Sequence, residues 1–284
     1  MKKLIYILLT LVFLSCKTEK KDVYLEYNGE IVKVKFGNSK GDSTYTGFGG
    51  DNYPSGNIKS MSYFKNGKQT DTLYYYYENG KVKEKGLVKN KLSFGWWSYY
   101  DNNGKLTKKS EWIILKDSSY KNQSLYFDKN EDTIIGPSTF FEIEISDTLK
   151  LGKNAGRIKN YVTNYNNRAS NLLSVILENK KSEKEIIRDT FGDGTLKPFF
   201  GIITHKLGKQ KIKLKLEEKI LTETKDSNGL YGIEIANHYK YFEKEIYVWD
   251  KESETELGKR LKKEMIADYE KRLNKKMPTE IKNN

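Results

Sequence analysis

The chain has 284 residues, 37% of them hydrophobic and 31% charged, and its 51 Lys and Arg exceed 38 Asp and Glu to give a formal charge of +13 at pH 7. That length is more than one small domain needs, so two domains are expected. A single cysteine and only two histidines, His205 and His238, exclude an internal disulfide and leave no basis for a zinc site or a Cys–His nucleophile.

In chain order, Lys2 and Lys3 open a leader, and Leu4 to Leu14 is an apolar run too short to span a bilayer as a permanent helix. Residues 1–15 therefore read as an export signal. Phe13-Leu14-Ser15-Cys16 resembles the lipobox of bacterial lipoproteins, with Phe13 in place of the usual leucine. The resemblance implies cleavage before Cys16, acylation of that cysteine with palmitate or a similar chain, and attachment to the membrane through the lipid. The absence of Asp at position 17 implies the outer membrane, with the periplasmic or the surface face left open. The competing reading is a plain secretory signal with an incidental cysteine.

Without the leader, which holds two lysines and no acid, 269 residues remain with a charge of +11. Such a balance suits nucleic acid, an anionic membrane surface or an acidic polymer. An exported address argues against nucleic acid, and lysines interleaved with Glu along the chain have the pattern of solvated strand faces.

Residues 16–52 form the lipidated start, a tether and a capping hairpin. In that hairpin Val23 to Tyr27 and Glu30 to Phe36 flank Asn28-Gly29. Residues 37–52 are rich in Gly and Ser and read as a loop, with room for a strand near Tyr45.

Residues 53–136 contain a repeat with a period of 24. Gly56, Gly80 and Gly104 recur at that spacing, as do Ile58, Val82 and Leu106, and Lys65-Asn66 returns as Lys89-Asn90. Asn-Gly at 66–67, 79–80 and 103–104 lies between runs rich in Tyr, Trp, Val and Ile, which predicts antiparallel hairpins closed by type I′ turns. A degenerate further turn begins at Phe127. The segments YYENGKVKEKGLVKNKLSFGWWSYYDNNGKL and YPSGNIKSMSYFKNGK resemble the MORN-variant repeats of bacterial lipoproteins and of proteins often labelled antitoxin components. Two departures stand out: Lys91 occupies a usual glycine position, and the first repeat lacks the G-x-W element. The resemblance implies a scaffold of hairpins and, through its label, an antitoxin or immunity-like protein that neutralises a partner toxin.

Ten of the 21 tyrosines fall between residues 53 and 127, so aromatic enrichment follows the repeat. Alternation along a strand sends Trp96, Ser98 and Tyr100 to one face and Trp97 and Tyr99 to the other. Cross-strand aromatic pairs hold a thin sheet together, and a face left open would suit a glycan or a peptide. The candidate binding surface comprises Tyr75, Tyr77, Trp96, Trp97, Tyr99 and Tyr100.

Residues 137–252 change character. Seven apolar segments, at 139–146, 157–165, 172–178, 184–191, 199–206, 211–220 and 242–249, predict a β-sandwich. Leu207-Gly208-Lys209 leading into Ile212, Leu214 and Leu216 resembles the penultimate strand of immunoglobulin-like domains of bacterial envelope proteins. Residues 253–284 hold a helix and tail. Ser253 with Glu256 fits a capping box, and Leu257, Leu261, Met265, Tyr269 and Leu273 form a stripe expected to dock on a sheet, or on a membrane surface or partner.

The fold expected is therefore mainly β: an antiparallel hairpin-repeat sheet, an immunoglobulin-like sandwich and a C-terminal helix. No catalytic, nucleotide or metal motif is present, and DTFGDGT at 189–195 reads as a turn because it lacks the spacing of a calcium loop. The sequence points to a non-enzymatic cell-envelope lipoprotein without cofactor or metal, anchored to the membrane by its lipid and binding an envelope protein or glycan.

Overall fold

A computed structural model describes residues 23–27, 30–36, 43–162, 169–180, 185–225, 227–250 and 255–276. The leader, Cys16 and Ser253 lie outside the described residues. The chain is mainly β and divides into two compact units, residues 1–91 with 102–104, and residues 92–101 with 105–284.

The first unit contains β1 (Val23–Tyr27), β2 (Glu30–Phe36), β3 (Gly47–Asn52), β4 (Ile58–Lys65), β5 (Lys68–Gln69), β6 (Thr72–Tyr76) and β7 (Val82–Lys89). Their order is β1-β2-β3-β4-β6-β7, with β5 folded back on β4. The expected capping hairpin is present, and Tyr27 stands opposite Glu30. β2 then meets β3 in parallel. The strand expected near Tyr45 is β3, two residues later, and its glycines have a reason: a Cβ on Gly50 would lie 1.9 Å from the Ser60 carbonyl oxygen of β4. Val34, Phe48 and Met61 form a small core, against which the Tyr63 ring packs edge-on to Phe48 at 5.2 Å.

The repeat alternates two kinds of turn. Asn66-Gly67 has two positive φ values, 50° and 68°, as a type I′ turn requires. The same signature occurs at Asn90-Lys91 (52° and 67°) and at Lys116-Asp117 (47° and 62°), neither of which contains glycine. The turns at 79–80 and 103–104 differ from the type I′ expectation. Tyr77 N–H donates to the Lys81 carbonyl and Gly80 N–H to the Tyr77 carbonyl, closing a three-residue loop with only Gly80 left-handed. Tyr53 with Asn57, Asp101 with Lys105 and Asp128 with Asp132 close in the same way, the last with Glu131 in the glycine position. The period of 24 is thus one two-residue turn plus one three-residue turn with the strands between them.

The second unit contains β8 (Leu92–Tyr100), β9 (Leu106–Leu115), β10 (Ser118–Phe127), β11 (Thr133–Glu144), β12 (Thr148–Lys150), β13 (Gly152–Tyr161), β14 (Ala169–Lys180), β15 (Ile186–Phe191), β16 (Phe199–Thr204), β17 (Gly208–Lys225), β18 (Tyr231–Trp249) and α1 (Glu256–Lys276). One sheet runs β8-β9-β10-β11-β13-β16 and a five-stranded sheet runs β12-β18-β17-β14-β15. Of the seven long sandwich strands, the first, second and fifth share one sheet and the other four share the second. This is an immunoglobulin-like Greek key with the fourth strand beside the third. β12 adds to it in parallel with β18.

Between these sheets Ile158, Val175, Leu177, Phe200, Leu216 and Val248 are at most 1% exposed. Burial of each stabilises the fold by about 1.5–3 kcal/mol. Gly156 stands opposite Phe200, and a Cβ there would lie 2.2 Å from the Phe200 ring. The expected boundary at 136–137 falls inside β11, because that strand begins in the hairpin array and continues as the first strand of the sandwich.

Two further features depart from expectation. β17 and β18 pair over eighteen residues, from Gly208 opposite Val248 to Lys225 opposite Tyr231, well beyond the predicted 211–220 and 242–249. Tyr231, Ile233 and Ile235 are exposed along this extension. The helix is capped by Thr255, whose Oγ1 accepts from Gly258 N–H at 3.1 Å. It docks against β13 through fully buried Leu261 and an Arg157–Glu264 ion pair, whereas Tyr269 and Leu273 at the far end of the predicted stripe are exposed.

Candidate binding surface

The sequence-derived aromatics divide among several environments. Tyr75 and Tyr77 belong to the first unit and are half-buried, and the Lys83 ammonium lies 5.9 Å from the Tyr77 ring. Tyr99 and Tyr100 are also half-buried. Tyr99, Lys108 and Tyr126 form a cross-strand row, with the Lys108 ammonium 4.8 Å from one ring and 5.6 Å from the other. Trp97 belongs to the next row, opposite Ser110, whose hydroxyl meets that of Ser124 at 3.1 Å. These small residues leave room for an indole, and Trp97 is only 5% exposed. It is a packing residue, which corrects its place in the expected binding surface.

Trp96 points to the opposite face and is 43% exposed, as Phe94 is at 41%. Trp96 stands opposite Glu111, and Ile113, on the same face of β9, stands opposite Tyr120. Tyr120 takes this row across to β18: its hydroxyl donates to the Tyr239 carbonyl at 2.7 Å and its ring packs edge-on to Tyr241 at 5.7 Å. Burial, together with the neighbouring Tyr241, raises the pKa of the Tyr120 phenol, which keeps it a neutral donor. The Lys215 ammonium lies 4.0 Å from the Tyr239 ring.

A β-bulge fixes this arrangement. Between Lys121 and Gln123 the β9–β10 register shifts, leaving Asn122 outside the ladder. Its side-chain amide accepts from Tyr241 N–H at 2.7 Å and donates to the Tyr241 carbonyl at 2.8 Å, as a strand neighbour would. Glu111 holds Asn122 and Gln123 at 2.6 and 2.7 Å, and Gln123 in turn accepts from the Phe141 N–H. The surface of Trp96, Ile113, Tyr120, Tyr239 and Tyr241 therefore rests on a rigid polar frame. Sequence reasoning found Trp96 and missed the others. The alternation of Tyr239 and Tyr241 in the unrecognised part of β18 was the available signal.

A second cluster is buried. Glu218 continues the inward face of Ile212, Leu214 and Leu216, and Lys240 stands opposite Leu216. Lys240, Glu218 and Asn160 are 1%, 3% and 4% exposed. The Lys240 ammonium donates to Asn160 Oδ1 at 2.7 Å, lies 3.6 Å from Glu218 Oε2 and 3.4 Å from the Tyr161 carbonyl. His238, a third exposed, places Nδ1 3.4 Å from Glu218 Oε2. Among the described residues Asn160 Nδ2 and Glu218 Oε1 have no hydrogen-bond partner. Burial lowers the Lys240 pKa to about 8, outweighing the Glu218 carboxylate that pulls it upward. Elsewhere, Asp193 caps its own turn by accepting from Thr195 N–H at 2.8 Å, in keeping with the turn expected at DTFGDGT. Among the described residues no cluster of His, Cys, Asp and Glu could hold a metal ion.

No protein family, no curated protein and no solved structure matches the chain.

Proposed function

We propose that this chain is a non-enzymatic cell-envelope lipoprotein, anchored through Cys16, that acts as a binding module for an envelope protein or glycan. The lipobox-like Phe13-Leu14-Ser15-Cys16 supports the address, and the MORN-variant-like hairpins supply the scaffold. The observation that carries the binding role is the half-exposed Trp96, which stands opposite Glu111 on the face that carries Ile113 and Tyr120 and continues to Tyr241 on β18. Large, rigid aromatic side chains on a fixed frame contribute binding energy at little conformational cost. This favours the β8–β10 face over Tyr75 and Tyr77 as the contact surface.

The test is photocrosslinking in intact cells with p-benzoylphenylalanine placed at position 96. A discrete protein or glycan adduct is expected there and none at Ile186, a more exposed apolar position on β15. Equal labelling at the two positions, or none at either, rejects the reading.

A further inference from the structure

We propose that Lys240 and Asn160 join in an intramolecular isopeptide bond between β18 and β13, with Glu218 as the catalytic acid and base.

The geometry brings together the parts this reaction needs. The Lys240 nitrogen lies 2.7 Å from Asn160 Oδ1, so the amide carbon is one bond of about 1.2 Å beyond the atom already contacted. Glu218 lies beside the amine and is held between Lys240 and His238. All three reacting side chains are at most 4% exposed, which keeps water away from the amide carbon and leaves the amine as the nucleophile at hand. Burial shifts the amine toward its neutral, nucleophilic form. The two orphaned atoms, Asn160 Nδ2 and Glu218 Oε1, are the leaving group and a carboxylate oxygen able to serve it.

The chemistry balances without a co-reactant. Glu218 takes one proton from the Lys240 ammonium, and the freed lone pair forms the Nζ–Cγ bond while the carbonyl electrons move to Oδ1. Glu218 gives its proton to Nδ2 and takes a second from Nζ. The carbonyl re-forms, the Cγ–Nδ2 bond breaks and ammonia leaves. His238, which reaches solvent, marks the side by which ammonia departs. No atom changes oxidation state.

The experiment is intact-mass measurement of the full mature chain under denaturing conditions. The expected mass is that of the sequence, with its lipid where present, less one ammonia. Trypsin should fail after Lys240 and release a branched peptide that joins the segment starting at Asn160 to the one containing Lys240. Glu218→Gln and Asn160→Ala should restore the full mass of their own sequences, while Asn160→Asp should lose one water instead. A wild-type chain with its full sequence mass and normal cleavage after Lys240 overturns the proposal, and that measurement depends on no variant folding.

Discussion

Trp96 and Trp97 are adjacent in sequence, yet one presents an indole to solvent and the other is almost fully covered. Alternation told that they would separate, but only the small partners Ser110 and Ser124 decide which of them is covered, and those residues come from other strands. The same limit hid Lys240 and Glu218. Each keeps the inward period of its strand, but a polar residue at such a position becomes meaningful only when Asn160 arrives from another sheet. Lys240 also gives a pH dependence of definite sign. Its amine titrates near 8 when folded and near 10.5 when unfolded, so between these values the unfolded chain binds more protons and stability rises with pH. The burial penalty is full below pH 8 and gone above 10.5. In an Asn160→Ala chain, whose amine stays free, urea unfolding relative to Asn160→Ala/Lys240→Met should show a gain of order 3 kcal/mol across that window. A flat difference would show that the amine is solvated.

At the scale of elements, all seven sandwich strands, the capping hairpin and the helix were legible, because each has an apolar period of its own. Turn type was less so. Asn-Gly occurs both in a two-residue turn at 66–67 and within a three-residue turn at 78–80, and the residues that pair across each turn, Lys65 with Lys68 against Tyr77 with Lys81, separate them where the dipeptide does not. The outer part of the β17–β18 ribbon escaped because its exposed Ile233 and Ile235 have no core to face. Lys91 supplies the test at this scale. Its φ of 67° is costly for a side chain with a Cβ, by about 1–2 kcal/mol, against which glycine loses some backbone entropy. Lys91→Gly should therefore stabilise the chain by about 0.5–1 kcal/mol, read as a rise in thermal midpoint. Gly67→Ala, at the matching position of another turn, should do the reverse.

For the molecule as a whole, the proposed address is read from the sequence and not from the folded residues. A chain with one cysteine has no internal disulfide, and the proposed Lys240–Asn160 link would close an eighty-residue loop that no reductant can open. By analogy with disulfides, a loop of that size stabilises by about 4–5 kcal/mol. The proposed membrane address rests on Cys16. Cys16→Ala should move the chain from membrane fractions to the soluble fraction, as followed by immunoblot after fractionation. Retention of the variant in the membrane would remove the lipid anchor from the reading. No helix among the described residues is long and apolar enough to cross a membrane.

The three-residue turns of the array are also tied to one another: Asn57 Nδ2 donates to the Glu78 carbonyl at 2.8 Å and Asn79 Nδ2 to the Asn102 carbonyl at 2.9 Å. The first and second of these loops thus each grip the loop that follows through an asparagine amide, Asn57 at the end of its loop and Asn79 within it. A duplication or excision of one whole 24-residue unit would keep the alternation of two-residue and three-residue turns, whereas the loss of a smaller piece would break it. The array is therefore built to change length in quanta, a ruler whose divisions can be added without redesigning the rest.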